Sequence, residues 1–224
     1  MQLTETTLSV LKNYATINSN IVIDQGSKLN TISEAKNVMA SVNVKEEFPK
    51  KFGIYDLNEF LGVLGLVDEP NLDFTDEYVT VSDSSGRSKV KYFFSSPEIL
   101  TQPTKTVTMP AADVTFDLDT DTLMRVKRAA TALGHNEVSI SGKEGVITIN
   151  VVDNKNSTSN VYSIDIAGEF EMEEFKFVLN ISNLKIMPGD YEVKISSKLI
   201  SEFTNKETDA QYWIALEKTS STGV

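Results

Sequence analysis

The sequence contains no cysteine and only one histidine, His135, among its 224 residues. The missing cysteines exclude disulfides, thiol chemistry and cysteine-bound metals, and they fit a reducing compartment. Because zinc sites and Cys–His pairs need more than one such ligand, His135 can build neither. A glycine-rich phosphate loop, a dinucleotide fingerprint and a serine on a nucleophile elbow are also missing. Composition and motifs therefore argue against an enzyme and against a bound cofactor.

Long apolar runs are also missing, since none approaches the ~20 residues that a membrane helix needs. The first residues, Met1–Thr7, are polar and acidic, unlike a signal peptide. We therefore expect a soluble, intracellular protein with no membrane partner. Hydrophobic residues still make up 40% of the chain, which is enough for the packed core of one large domain or two smaller ones.

Positive charge is scarce, because 21 Lys and Arg face 32 Asp and Glu and the formal net charge is −11. The segment 123–134 is the exception, since it holds Arg125, Lys127 and Arg128 and no acid. A chain that repels polyanions overall but presents a basic helix locally is suited to holding a polyanion in one confined place. Taken by itself, however, such a helix is more often a solvated charged face.

Apolar spacing places these cations on helix surfaces. A helix over 5–17 has its apolar stripe at Leu8, Leu11 and Ala15, with Lys12 on the far side. The basic helix follows Asp119 and runs to Gly134, with a stripe at Leu123, Val126, Ala130 and Leu133. On this helix Arg128 points nearly opposite the stripe, Arg125 flanks it and Lys127 sits at its boundary.

The same order of elements is predicted twice. Asp56 and Asn180 are the expected caps of two short helices, over 57–66 and 181–187. Each half then contains a helix, strands, a short capped helix and further strands. In the second half, alternation predicts strands at 114–118, 137–141, 146–152, 161–167, 175–179, 191–196 and 211–217. Prolines between 95 and 113 indicate an extended connector, so we predict domains over 1–108, including the connector at about 95–108, and 109–224.

Several stretches occur in the order typical of one known family. They are Leu11-Lys-Asn-Tyr-Ala-Thr-Ile-Asn-Ser19, Ile54-Tyr-Asp-Leu-Asn-Glu-Phe-Leu-Gly-Val-Leu64, Leu123-Met-Arg-Val-Lys-Arg128, Lys143-Glu-Gly145 and Met187-Pro-Gly-Asp-Tyr191. In these stretches the chain resembles the sliding clamps of T-even-type bacteriophages, the processivity factors of DNA polymerase. Together the stretches span nearly the whole sequence.

The resemblance implies an α+β fold with two similar DNA-clamp domains per subunit and a homotrimeric ring. Helices would line the pore around double-stranded DNA, and antiparallel sheets would lie outside. The implied partners are the DNA polymerase, the clamp loader and late-transcription factors, in the cytoplasm of an infected bacterial host. The implied role is not enzymatic, and contact with DNA would be topological and independent of base sequence.

The resemblance also suggests where DNA would be contacted. Lys12, Arg125 and Arg128 match basic family positions and take the pore-facing role. Lys127 is assigned to the same surface although the family more often has a small polar residue there. Lys185 is assigned from its place in the second short helix. A pocket for partner peptides is suggested at the apolar connector residues Ile99, Leu100, Val107 and Met109, although ordinary packing would explain these equally well.

The acidic stretch Asp117-Leu-Asp-Thr-Asp121, just before the basic helix, resembles the start of a calcium loop. Thr122 and Arg128 stand where such a loop needs Gly and Glu. We therefore expect no metal site and interpret these acids as helix-terminal carboxylates, which the positive end of a helix dipole favours.

Two rival functions are compatible with an acidic chain of mixed helices and strands. One is a phage structural or scaffold oligomer that does not encircle DNA. The other is a small-molecule enzyme, which would need a deep polar pocket with perturbed titratable groups. The sequence contains no motif that predicts such a pocket.

Overall fold

The structure is a computed structural model that describes residues 1–156 and 158–222. The chain divides into two compact units, Met1–Lys105 (unit 1) and Thr106–Val224 (unit 2). The domain boundary expected from the sequence, between 108 and 109, lies slightly later and stays a prediction. No helix in the described ranges is long and apolar enough to cross a membrane.

Unit 1 contains two helices and three small groups of antiparallel strands. In chain order the elements are α1 (Glu5–Ile17), β1 (Ile21–Ile23), β2 (Gly26–Ile32), β3 (Val38–Phe48), β4 (Phe52–Ile54), α2 (Leu57–Leu64), β5 (Asn71–Phe74), β6 (Tyr78–Ser82) and β7 (Lys89–Phe93). Strand β1 pairs with β4, β2 pairs with β3, and β5, β6 and β7 form a meander. A 3-10 turn over Pro97–Ile99 follows β7.

The core of unit 1 is apolar and aromatic. Helix α1 buries Val10, Leu11 and Tyr14, because these positions recur on one side of a 3.6-residue turn. The rings of Phe52 and Phe94 lie 4.8 Å apart between centroids, and Phe48 and Phe74 complete this cluster. The exposed side of α1 is left to polar side chains.

Unit 2 contains one long helix and two antiparallel ladders. Its elements are β8 (Val114–Leu118), α3 (Thr120–Leu133), β9 (Glu137–Lys143), β10 (Val146–Val152), β11 (Tyr162–Ile166), β12 (Gly168–Phe170), β13 (Glu174–Asn180), β14 (Tyr191–Ser196), β15 (Ile200–Asn205), β16 (Gln211–Ala215) and β17 (Ser221–Thr222). One ladder has the order β11-β10-β9-β13-β17. The other runs β12-β8-β14-β15-β16. Helix α3 packs on β9 and β10.

The predicted short helix over 181–187 is wrong, since the chain makes only a 3-10 turn over Ile181–Asn183. Asn180 does cap it, accepting a hydrogen bond from the Ser182 amide at 3.0 Å. Beyond the turn the chain continues without regular secondary structure and buries Leu184, Ile186 and Met187. The Tyr191 hydroxyl also donates to the Met187 carbonyl at 2.6 Å.

Candidate nucleic-acid interface

Lys12 lies on the exposed side of α1, away from the buried residues Val10, Leu11 and Tyr14. The helix begins at the cap Thr4, and its first turn carries Glu5, so Lys12 is the only cation of this helix. Within the described residues Lys12 makes no ion pair. Its ammonium group is therefore available to an anion in solution.

The two arginines of α3 are exposed as the sequence predicts. The buried side of the helix consists of Thr122, Leu123, Val126 and Ala130. Arg125 forms an ion pair with Asp121, Nη2 to Oδ2 at 2.8 Å, and its side chain is 55% exposed. Arg128 donates from Nε to the Met124 carbonyl at 3.3 Å, which leaves the outer nitrogens of its guanidinium free of ion pairs among the described residues.

Lys127 differs from these arginines because it is only partly accessible. Its burial lowers the pKa of its ammonium group, since a cation loses hydration in an apolar surrounding. Lys185 also has intermediate exposure, and it lies in the irregular segment after the 3-10 turn rather than on a helix. The structure thus brings Arg125, Lys127 and Arg128 together on α3 and places Lys185 on a different element.

Helix α2 carries no lysine or arginine. Its exposed residues are Asn58, Glu59 and Gly62, and Tyr55 and Leu66 are exposed just before and just after the helix. Tyr55 is 70% exposed and Leu66 is 71% exposed. Positive charge on helix surfaces is therefore distributed unevenly, with one lysine on α1, none on α2 and the remainder on α3.

Carboxylates gather where α3 begins, and the structure assigns a protein partner to each. Asp119 caps the helix by accepting from the Thr122 amide at 2.7 Å, and Asp190 accepts from the Thr120 amide at 2.8 Å. Hydrogen bonds from the Thr120 side chain and amide lower the pKa of Asp190. Asp117 pairs with Lys206 at 2.8 Å. In the described part of the chain no group of three or more His, Cys, Asp or Glu side chains is arranged to hold a metal ion.

Sequence patterns alone did not find Asp190 at this helix start. It lies 70 positions from Thr120 in the chain, so no local spacing connects the two. Asp121, in contrast, stands four residues before Arg125, and the ion pair between them follows from helical spacing.

The proposed pocket residues fall in different surroundings. Ile99 is 72% exposed, whereas Leu100 is 7% exposed. Leu100 packs on the backbone of β4, because a Cβ added at Gly53 would lie 2.7 Å from its Cδ1. Both belong to unit 1, while Val107 and Met109 belong to unit 2 and are half-buried. Leu100 thus acts as a core residue of unit 1.

The fold is that of the PCNA-type DNA clamps. PCNA of A. fulgidus, solved with the C-terminal region of FEN-1 bound, matches 98% of this chain and 98% of its own with a TM-score of 0.70 and 14% identity. The PCNA2–PCNA3 complex of Sulfolobus tokodaii matches 94% of this chain and 95% of its own, with a TM-score of 0.67 and 15% identity. The predicted fold class, with two clamp domains, is confirmed.

Sequence comparison identifies the family within that fold. Residues 4–109 match the family described as DNA polymerase processivity factor, and residues 115–218 match gp45 sliding clamp, C terminal. The chain is 33% identical to the sliding clamp of Vibrio phage KVP40, over 97% of this chain and 99% of that relative. It is 30% identical to the sliding clamp of Enterobacteria phage T4, over 98% of both chains.

This chain belongs to the phage sliding-clamp family. The resemblance seen in the sequence is confirmed, and so is the predicted function as a DNA polymerase processivity factor. The scaffold alternative is not favoured, because the matches cover both units and come from sliding clamps.

Proposed function

We propose that three copies of this chain form a closed ring around duplex DNA, with the exposed faces of α1 and α3 lining the hole. The observation that carries this proposal is the placement of Arg125 and Arg128. Both are exposed on α3, away from its buried stripe, in a chain whose net charge is −11. Lys12 adds a cation on the exposed face of α1.

Such a ring works by topology rather than by tight binding. Lysine and arginine contact phosphates without reading bases, so the contacts are equivalent at every position along the duplex. Affinity can therefore be weak while the residence time is long, because dissociation requires the ring to open or the DNA to end. The acidic remainder of the chain disfavours contact between DNA and the outer surface.

Within this proposal the basic side chains contribute unequally to phosphate contact. Lys12, Arg125 and Arg128 are the principal phosphate contacts. Lys127 contributes less, because its side chain is partly buried and therefore less accessible to a phosphate than the exposed guanidinium groups of the two arginines. Lys185 is retained as a peripheral contact outside the helices.

We assign ring closure to two strand edges of opposite charge. Strand β7 is the edge of the β5-β6-β7 meander and exposes Lys89, Lys91 and Phe93. Strand β11 is the edge of its ladder and exposes Ser163 and Asp165. Unpaired strand edges readily add another strand, and opposite charges favour that pairing over others. Head-to-tail pairing of β7 with β11 of the next copy would close a ring when the rotation between copies is one third of a turn.

Charge reversal of the two arginines tests the pore assignment. The double substitution Arg125→Glu and Arg128→Glu should shorten the products of processive synthesis by about tenfold or more, because it replaces phosphate contacts by repulsion. The ring should still assemble. The matched control is Lys155→Glu with Lys198→Glu, which changes the net charge equally at exposed loop positions of unit 2.

Product length on primed circular DNA, with polymerase and loader present, is the measurement. The control should keep product lengths near those of the unmodified clamp. Unchanged product length in the arginine variant would show that α3 does not face the DNA.

The remaining expectations concern partners and setting. We propose that the polymerase, a clamp loader and late-transcription factors act with this clamp in the cytoplasm of the infected host, and that the clamp itself catalyses no reaction. PCNA of A. fulgidus was solved with the C-terminal region of FEN-1 bound, which supports docking of partner segments here. Ile99, Val107 and Met109 are the candidate contacts for such a segment, whereas the burial of Leu100 gives it a supporting role.

A further inference from the structure

The two arginines that we place in the pore are not equivalent. The Arg125 guanidinium is already engaged by Asp121, one helical turn earlier on α3, at 2.8 Å. Arg128 has no carboxylate partner among the residues that the structure describes, and its Nε bonds only a backbone carbonyl. A phosphate that approaches Arg125 therefore meets a group that already has an anion beside it.

Asp121 is free to serve this role because it is not needed to cap the helix. Two amides of the first turn already have carboxylate acceptors, since the Thr122 amide donates to Asp119 and the Thr120 amide donates to Asp190. The Asp121 side chain is 65% exposed, and its ion-pair partner is 55% exposed. An ion pair this exposed is weak and exchanges with ions in solution, so a DNA phosphate can displace Asp121 and be displaced by it.

We propose that Asp121 is a built-in competitor for the Arg125–phosphate contact and thereby keeps the clamp mobile on DNA. This inference rests on the proposed role of α3 in facing the duplex. Each step along DNA breaks some phosphate contacts and makes others. When a phosphate leaves Arg125, the carboxylate takes its place at once, which lowers the cost of release. Arg128, without such a partner, holds the phosphate between steps.

The ion pair does not act as a proton switch. Hydrogen bonding and charge attraction from Asp121 raise the pKa of the Arg125 guanidinium, which is protonated at every physiological pH in any case. Asp121 therefore leaves the positive charge of Arg125 in place but changes how readily a phosphate can bind to it. Within the physiological pH range its effect should therefore depend on salt concentration and not on pH.

Removing the competitor tests the proposal. The substitution Asp121→Asn keeps the size of the side chain and removes its charge. Because an exposed helical ion pair shifts a local equilibrium by a factor of about two, and a ring presents three copies, we expect duplex DNA to bind about two- to eightfold more tightly. The measurement is fluorescence anisotropy of a labelled duplex titrated with the assembled clamp at several salt concentrations, supplemented by sliding rates from single-molecule tracking.

Two further variants separate competition from a general loss of negative charge. Asp117→Asn removes the same charge and also breaks an ion pair, in this case with Lys206. Asp117 lies on β8 and not on α3, so this variant serves as the matched control. Arg125→Gln removes the group for which Asp121 competes. If Asp121 acts through Arg125, then Asp121→Asn should have no more effect than Asp117→Asn when Arg125→Gln is already present.

The outcomes are distinguishable from one another. Tighter binding and slower sliding in Asp121→Asn, lost in the Arg125→Gln background, support the proposal. An effect no larger than that of Asp117→Asn, or one that persists without Arg125, overturns it. If Arg125→Gln with Arg128→Gln leaves DNA binding unchanged, the pore assignment itself fails rather than the role of Asp121.

Discussion

At the scale of single residues, the buried carboxylate of Glu46 shows how a polar group stabilises this fold. Glu46 lies on β3, is 7% exposed, and accepts hydrogen bonds from the Thr7 hydroxyl and from the Thr4 amide at the start of α1. Burial by itself would raise the pKa of Glu46, but these hydrogen bonds outweigh it and the pKa lies below its usual value of 4.5. The anion also faces the positive end of the α1 dipole.

Replacing this carboxylate should cost stability in a pH-dependent way. Glu46→Ala leaves the Thr4 and Thr7 donors without their acceptor, and we expect a loss of about 1–3 kcal/mol in the free energy of unfolding at pH 7. Because the pKa is lower in the folded protein than in the unfolded one, the ionic part of this stabilisation is complete above the unfolded pKa. It is lost as the pH falls through the folded pKa.

Urea unfolding followed by the fluorescence of Trp213, the only tryptophan, measures both effects. Glu46→Gln serves as the control, since it keeps an acceptor oxygen and cannot titrate. The difference in free energy of unfolding between the unmodified clamp and Glu46→Gln should shrink below about pH 4. A difference that stays constant down to acid pH would contradict the lowered pKa of Glu46.

At the scale of elements, two glycines have surroundings in which substitution by alanine is expected to change stability in opposite directions. Gly142 on β9 faces Phe175 on β13, and a Cβ at Gly142 would overlap the Phe175 ring. The Phe175 ring has no room to move away from an added methyl group, because the rings of Phe170 and Phe177 lie 5.1 and 5.2 Å from it between centroids. Gly62 on α2 is different, since a Cβ added there would have no heavy atom of the described residues within 4 Å.

We therefore expect Gly142→Ala to destabilise the clamp by about 1–3 kcal/mol, as overpacking of a buried pair does. Gly62→Ala should instead stabilise it by about 0.5–1 kcal/mol, because alanine loses less backbone entropy than glycine in a helix. Thermal unfolding of both variants by circular dichroism measures the pair, each acting as the control for the other. If both substitutions changed the melting temperature equally and in the same direction, packing around Gly142 would not determine the effect of the added methyl group.

At the scale of the whole molecule, ring closure makes the charge of strand edges a test of assembly. The double substitution Lys89→Glu and Lys91→Glu gives β7 the same sign as the Asp165 edge of β11. We expect the dissociation constant of the ring to rise about tenfold or more, since like charges across an interface cost several kcal/mol. Light scattering over a dilution series should find three times the 24.8 kDa subunit mass for the unmodified clamp and a smaller mass for the variant.

Two additional proteins make this test specific. Adding Asp165→Lys to the same chain should restore part of the assembly, because each head-to-tail contact would then regain opposite charges. Lys28→Glu with Lys45→Glu, on the exposed sides of β2 and β3, changes the net charge equally and should leave the ring intact. A trimer that persists unchanged after reversal at β7 would remove this strand from the interface, and a strictly monomeric unmodified clamp would refute closure.

Local sequence patterns predicted those elements whose burial repeats along the chain. The strands Val114–Leu118 and Tyr191–Ser196 alternate apolar and polar residues and begin and end where the alternation does. Strand β15 was missed because Ser201 and Glu202 are buried in it. The Trp213 indole of β16 donates to Glu202 at 2.7 Å, and this partner is what makes a carboxylate acceptable in the strand. A local sequence pattern cannot predict a hydrogen-bond partner that lies on another strand.

The sequence by itself determined which helix faces carry positive charge. Helical periodicity relates residues three or four positions apart, so the exposure of Lys12, Arg125 and Arg128 and the pairing of Asp121 with Arg125 follow from spacing alone. The tertiary structure decided what depends on distant partners, such as the hydrogen bonds of Glu46 and Asp190 and the fit of Phe175 over Gly142. It also replaced a predicted helix with the turn Ile181–Asn183. The physical reason is that these choices are fixed by packing and hydrogen bonding between segments far apart in the chain, which no periodicity records.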